Sequence, residues 1–363
     1  MKKIAVTCVV AGLVASGPVW SDDDHRRRGG DDDVQAFATL PASVRFPEGI
    51  TANPRTGEIF VATFDFGPNS NKLLRFSRHG KLIASRDFGG TPLLGLAFNR
   101  EDRKVYIANP TMLTGAPDSK IQRINADFDE TTPIVDVAFI PKIGAPAPRV
   151  AGNPDGSQDV ITFGSGAAVP NAMVFDSKGG LYVSDSFQGA VFWIDNAAGC
   201  ATPCPVTTVV HDPLLATAGF PPFGANGLAL SYDGNTLFVA NTGDDRVLKV
   251  DLATKAVTVF AESINGADGI AFDDDGRLWV AENQNDSVAA LNDKGRVVDR
   301  LGEFGGIRRD GSPRGLLFPA SIVIVDDWMY VTNLALPLTG AAGDEPEEDV
   351  TLYTVSRIRI PSH

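Results

Sequence analysis

One short phrase returns six times along this chain: an apolar run, a tight turn, then an aromatic-led strand ending on a polar residue. The copies read FPEGITANPRTGEIFVATF, LLGLAFNREDRKVYIANP, PNAMVFDSKGGLYVSDS, ANGLALSYDGNTLFVANT, ADGIAFDDDGRLWVAEN and FPASIVIVDDWMYVTNL. Repetition settles architecture before local preference does, because each unit must bury its apolar face against the next. Asp176–Gly180, Asp233-Gly234 and Asp273–Gly276 supply turns between paired runs, since Asp and Gly tolerate the backbone angles required. Weaker strands follow, as in NKLLRFSRHG then KLIASRDF, and DRVLKVDLAT then KAVTVFAE. Four strands per unit at a period of roughly 40 residues is the pattern of a propeller blade. No long stretch carries helical periodicity. The expected fold is all-β: a six-bladed β-propeller of four-stranded antiparallel blades. Inner strands are expected near residues 47–54, 93–99, 170–176, 225–231, 267–273 and 319–325. A solenoid would need capping units, and none is recognisable.

The last phrase is followed by an acidic loop, GAAGDEPEEDV, and one strand, TLYTVSRIRI. Blade six is therefore one strand short. DVQAFATL, residues 33–40, is expected to fill it as an N-terminal strand, closing the ring and hiding its edges. A Pro- and Gly-rich insertion around Ile134–Asp159 lengthens blade two. The domain reading is a signal peptide over 1–21, a charged leader over 22–33 and the propeller over 34–363. Lys2 and Lys3 form the basic end of the signal, Ile4 to Val14 its apolar core, and Ser16 or Ser21 its cleavage point. The core is too short to span a bilayer. Cys8 lies inside it and not at its end, against a lipid anchor. The leader SDDDHRRRGGDDD reads as a solvated, disordered tail, with His25 within it. Export to a periplasm or to the outside is expected, with no membrane span in the mature chain.

Lys+Arg 32 against Asp+Glu 45 gives a net charge of -13, which opposes nucleic-acid binding and favours clefts that attract cations. Beyond the signal, Cys200 and Cys204 stand in GCATPCP. An oxidising compartment favours a local disulfide stapling that loop over two free thiols. Zinc is disfavoured because no second ligand pair accompanies them.

One position per phrase, at the mouth of its inner strand, reads Glu48, Leu94, Asn171, Asn226, Asp268 and Ala320. In a propeller the inner strands line the central tunnel and run in one direction, so these residues converge on one mouth. Glu48, Asn171, Asn226 and Asp268 bring two carboxylates and two amide carbonyls. Buried and unpaired, the carboxylates would repel at high cost. One divalent cation removes that cost. Calcium takes 6–8 oxygen ligands, which leaves positions for water and substrate. Magnesium, manganese and zinc also fit the ligand type. The competing reading is that these side chains satisfy local backbone donors at strand starts.

These residues carry a resemblance to the senescence marker protein/gluconolactonase/luciferin-regenerating enzyme-like family, the regucalcin-like propellers. Its ligands run Glu, Asn, Asn, Asp, with one blade skipped after the Glu. PEGI matches at Glu48, PNAM at Asn171, NGLALSYDG at Asn226 and ADGIAFDDDGRLWVA at Asp268. The resemblance covers most of residues 45–335. It implies a six-bladed propeller with a catalytic divalent metal in the tunnel mouth, and it implies Asp268 as ligand and proton acceptor. Two departures stand out. The family shows Asn-Asp-Gly where this chain has Asn171-Ala172-Met173. Sugar-lactonase members carry Arg where this chain has Val169, which leaves a less polar lactone or ester open beside an aldonolactone. No His stands at a phrase start; His79 reads as a surface turn and His211 as an exposed loop residue.

The expected function is metal-dependent hydrolysis of a lactone or related ester, a small-molecule substrate. Asp268 is the catalytic residue and Glu48 mainly an anchor. Asn109, Asp185, Asn241, Asn283 and Asn333 end the second strands, either as pocket wall and support for the ligands or as turn caps. The alternative is a non-catalytic binding propeller whose metal is structural or absent. A strictosidine synthase-like enzyme would want an acid in blade six, where Ala320-Ser321 stands.

Overall fold

In the computed structural model, which describes residues 34–164 and 166–361, six four-stranded antiparallel sheets build the propeller. The expected signal peptide and leader, with Cys8 and His25, lie outside the described residues. Inner strands run over Pro47–Asn53, Leu96–Asn99, Pro170–Phe175, Ala225–Leu230, Ala267–Phe272 and Pro319–Val325. The second strands are Glu58–Thr63, Lys104–Asn109, Leu181–Asp185, Thr236–Asn241, Leu278–Glu282 and Trp328–Asn333. These aromatic-led runs alternate across the sheet and pack on the blade at either side. In blade one, Ile59 and Val61 join Tyr330 and Val355 of blade six, while Phe60 and Ala62 join Leu96, Val105 and Ile107 of blade two.

The ring closes as expected. Val34–Thr39 is the outer strand of blade six, paired antiparallel to Thr354–Arg359, with Val34 opposite Ile358. Phe37 and Leu40 are buried there, and the Leu40 N–H donates to the Tyr353 carbonyl. The insertion is placed differently from expectation. Val135–Phe139 pairs with Lys120–Asn125 as the fourth strand of blade two, so the insertion starts after it. It folds into a hairpin of Arg149–Gly152 and Gln158–Ile161. Alternating apolar residues in VDVAF are what a half-buried outer strand requires, and the nearby prolines hid them.

Cys200 and Cys204 form a disulfide in the loop after Ala190–Ile194, and the Cys204 N–H donates to Val137 of blade two. His79 is exposed in a turn; His211 is exposed as expected, but as the last residue of the outer strand of blade three and not in a loop. No α-helix occurs among the described residues, and none of their helices is long and apolar enough to cross a membrane.

Each inner strand carries a bulge at its mouth. In blade one Pro47 faces Thr63 but Ile50 faces Val61, so Glu48 and Gly49 together oppose Ala62. The same shift falls at Asn171-Ala172, Asn226-Gly227, Asp268-Gly269 and Ala320-Ser321. Blade two makes an equivalent arrangement through Leu94 N–H to Ala108 O and Ala108 N–H to Gly95 O. A bulge bends its strand and re-aims a side chain. Here it presents the register residue to the tunnel mouth.

The second bulge residue sets how closely neighbouring blades approach. A Cβ on Gly49 would lie 2.2 Å from the Leu94 carbonyl oxygen, and one on Gly227 would lie 2.1 Å from that of Asp268. Opposite each glycine in blades one, two, four and five stands alanine: Ala62, Ala108, Ala240 and Ala281. Blades three and six have Ala172 and Ser321 instead, and a hydroxyl stands opposite. Ser184 accepts from the Ala172 N–H at 2.9 Å and donates to the Asn226 carbonyl at 2.7 Å. Thr332 accepts from the Ser321 N–H at 3.0 Å and donates to the Glu48 carbonyl at 2.7 Å. Two packing solutions thus hold six register residues in one layer.

Candidate functional site

Glu48, Asn171, Asn226 and Asp268 line one cavity of about 40 Å³ at the tunnel mouth, together with Leu94, Thr242 and Asn283. Its remaining walls are apolar: Phe64, Pro221, Phe223, Phe318, Leu334, Leu336 and Leu338. All four oxygen-bearing residues are at most 5% exposed. Two positions below the register layer the inner strands carry Ile50, Leu96, Met173, Leu228, Ile270 and Ile322, each 5–7% exposed, an aliphatic layer beneath the polar one. The opposite mouth is a wider opening of about 920 Å³. Its polar lining is turn residues such as Arg100, Glu101, Asp176 and Lys178, and no buried carboxylate faces it.

The hydrogen bonds orient both amides. Thr242 Oγ1 donates to the Ala267 carbonyl at 2.7 Å, so it meets Asn226 as an acceptor, and Asn226 Nδ2 donates to it at 2.9 Å. Ser186 Oγ donates to the Ala225 carbonyl at 2.8 Å and accepts from Asn171 Nδ2 at 3.0 Å. A hydroxyl has one proton, and in each case the next blade's carbonyl takes it. Each asparagine therefore commits its NH2 to the wall and turns its Oδ1 toward the cavity. Asn283 donates through Nδ2 to Asp268 Oδ2 at 3.3 Å.

The carboxylates have too few partners. Glu48 Oε2, Asp268 Oδ1 and Asn283 Oδ1 are buried without a hydrogen bond. Burial, then the charge of Asp268, pushes the Glu48 carboxyl well above its ordinary range. Burial pushes Asp268 up to about 7, against an opposing pull from the Asn283 and Asn226 amides. No Lys, Arg or His lines the cavity to offset either charge. Two buried carboxylates, each with an orphaned oxygen, and two amide oxygens are a donor set that fits a hard divalent cation.

Of the second-strand residues expected around the pocket, only Asn283 lines it. Asp185 is buried and accepts from the Val169, Phe187 and Gln188 N–H groups and from Gln188 Nε2. Asn241 donates to the Leu214 and Ala216 carbonyls, Asn333 to Thr354 and Ser356, and Asn109 to Gln122. These four tie loops and strands. The residues bonded to the asparagines stand one place later in the chain, at Ser186 and Thr242. The strand-ending pairs Asp185-Ser186, Asn241-Thr242 and Glu282-Asn283 carried that signal, each with a second polar residue after the first. The apolar collar from Pro221-Phe223 and Leu334–Leu338 was missed, because it comes from loops without a repeat.

Comparison with known proteins agrees with this architecture. The model of the SMP-30/Gluconolactonase/LRE-like region matches residues 221–302, which hold Asn226 and Asp268. A protein named lactonase drp35 from Staphylococcus saprophyticus is 28% identical over 251 residues, 63% of this chain and 68% of that protein. Its namesake from Staphylococcus epidermidis is 31% identical over 199 residues, 51% and 54% of the two chains. The match thus spans about two thirds of the first relative and about half of the second. Among solved structures, luciferin-regenerating enzyme superposes with a TM-score of 0.60 at 14% identity, over 91% of this chain and 97% of its own. Regucalcin from Agrobacterium tumefaciens, described as a calcium-binding protein, gives 0.57 at 16% identity over 90% and 96%. At such identities the structural likeness speaks for the fold. The family model thus matches the part of the chain that holds two of the four register residues, and the solved structures agree in fold.

Proposed function

We propose that this chain is a divalent-metal-dependent hydrolase of a lactone or related ester, with its centre at the tunnel mouth. One observation carries the reading: Glu48 and Asp268 are buried in one small cavity with orphaned oxygens and no cationic side chain. The relatives named lactonase support the reaction class.

Glu48, Asn171, Asn226 and Asp268 would hold the ion, with calcium first among candidates that include magnesium, manganese and zinc. When bound, the ion supplies Lewis acidity toward the ester carbonyl and toward water. The chain's own residues do the rest. Ser186 and Thr242 lock the two amide oxygens toward the cavity. Asn283 steadies Asp268 through Oδ2 and leaves Oδ1, the unpartnered oxygen, to accept the proton of the attacking water. The apolar walls exclude bulk water, which strengthens each electrostatic contact within. Glu48, with no hydrogen-bonded support on Oε2, anchors charge.

The N-terminal residues support export, and so does the Cys200–Cys204 disulfide. N-terminal sequencing of mature protein tests that part. The chemistry is tested by elemental analysis of purified protein with lactone and aryl ester turnover, before and after chelation. Stoichiometric divalent metal and chelator-sensitive turnover are expected, and Asp268→Asn should lower turnover at least ~10³-fold while the propeller stays folded. Retained metal with no turnover on any lactone or ester would instead assign a binding propeller.

A further inference from the structure

We infer that the site selects lactones or esters bearing an apolar alkyl or aryl group and discriminates against polyhydroxylated sugar lactones. The inference rests on the hydrolase reading above and names its substrate class. The cavity is polar at one pole only. Its floor holds the four oxygen-bearing residues, and its walls come from three loops of different blades. One wall is Phe64 with Phe223, ring centroids 6.2 Å apart, backed by Phe187 at 5.5 Å from Phe223. The other is Leu334, Leu336 and Leu338, in the loop after the second strand of blade six.

Neither wall offers a hydrogen-bond donor to a ring hydroxyl. No Lys, Arg, His, Tyr or Trp lines the cavity, the Thr242 hydroxyl already donates to Ala267, and Asn283 Nδ2, with one N–H on Asp268, stands at the floor and not on a wall. Val169 is fully buried with its N–H on Asp185, and it does not line the cavity. A sugar hydroxyl held between these walls, away from the polar floor, loses water without replacement. An alkyl chain or aromatic ring gains instead by leaving water. At about 40 Å³ the cavity takes only the ester end of such a substrate, its carbonyl and ring oxygen toward the polar floor, and the apolar substituent extends outward along the Phe and Leu walls.

The test compares γ-butyrolactone, γ-octalactone and glucono-δ-lactone by kcat/KM. It adds calorimetric binding of an alkyl γ-lactam and a polyhydroxy lactam, which share the ring but have no ester to cleave. Expected are at least tenfold preference for γ-octalactone over both other lactones and at least tenfold tighter binding of the alkyl lactam. Phe223→Ser and Leu338→Ser, both at half-buried positions, should each lower the octalactone-to-butyrolactone ratio at least tenfold with unchanged melting. Glucono-δ-lactone turned over as well as γ-octalactone, or equal binding of the two lactams, overturns the inference and leaves the hydrolase reading standing. Tight alkyl-lactam binding with no turnover of any lactone sinks the hydrolase reading and upholds the pocket's selectivity.

Discussion

Thr242 holds one proton and gives it to Ala267, and that fixes what Asn226 can do. Replacing Thr242 with Val keeps the shape but removes the acceptor, freeing the Asn226 amide to rotate. Metal affinity should fall about 10–100-fold, as for other losses of ligand-orienting partners, measured by titration with a competing chelator. Asp268 gives a second outcome at this scale. Its folded-state value of about 7 lies above the roughly 3.9 of an unfolded aspartate. The metal-free folded state therefore binds the extra proton, and its stability falls as pH rises between those two values. Thermal melts of chelated protein across pH 4 to 8 should show that decline, and added divalent metal should flatten it. The four oxygen-bearing residues were legible because each stands at the same place in a recognisable phrase. Their supports were misplaced by one residue, at Asp185 and Asn241, in place of Ser186 and Thr242. The bulge opposite adds a residue that no hydropathy pattern shows, so counting along paired strands lands on the wrong face.

At the level of the strand pair, a glycine–alanine contact and an alanine or serine facing a hydroxyl are alternative ways of joining blades. A methyl group on Gly227 meets the Asp268 carbonyl oxygen at 2.1 Å, and that atom is backbone. Gly227→Ala should cost about 1–3 kcal/mol, as overpacking does in other cores, and should weaken metal binding by displacing Asp268. Ala172 tolerates its Cβ because Ser184 supplies the link to blade four. Inner-strand bounds were readable to within a few residues from the repeats. The outer strand of blade two was not, because VDVAF is short, runs into a proline-rich stretch and has no copy elsewhere to compare with.

For the whole molecule the decisive contact joins the two ends of the ring. Phe37 and Leu40 are buried by the first strand. Losing two such side chains removes about 3–6 kcal/mol of apolar burial. Deleting residues 34–40 should therefore lower the melting temperature sharply and broaden the transition, measured by calorimetry against the intact chain. The number of blades, their order and the use of the first strand in the last blade were all readable from six phrases and one missing strand. The closed apolar mouth was not, since it depends on where loops fall once the ring is shut.

That seal has a consequence for assembly. Val34 meets Ile358 only after nearly all the intervening chain has been made. Blades one to five can each pair neighbouring strands as they emerge, but blade six must wait for Val34–Thr39 and Thr354–Arg359 to find one another. Contacts so distant in sequence are slow to form and expose unpaired strand edges meanwhile. The slowest event in making this protein should accordingly be the meeting of these two far-separated strands, and Glu48, just beyond the first of them, reaches its final position only then.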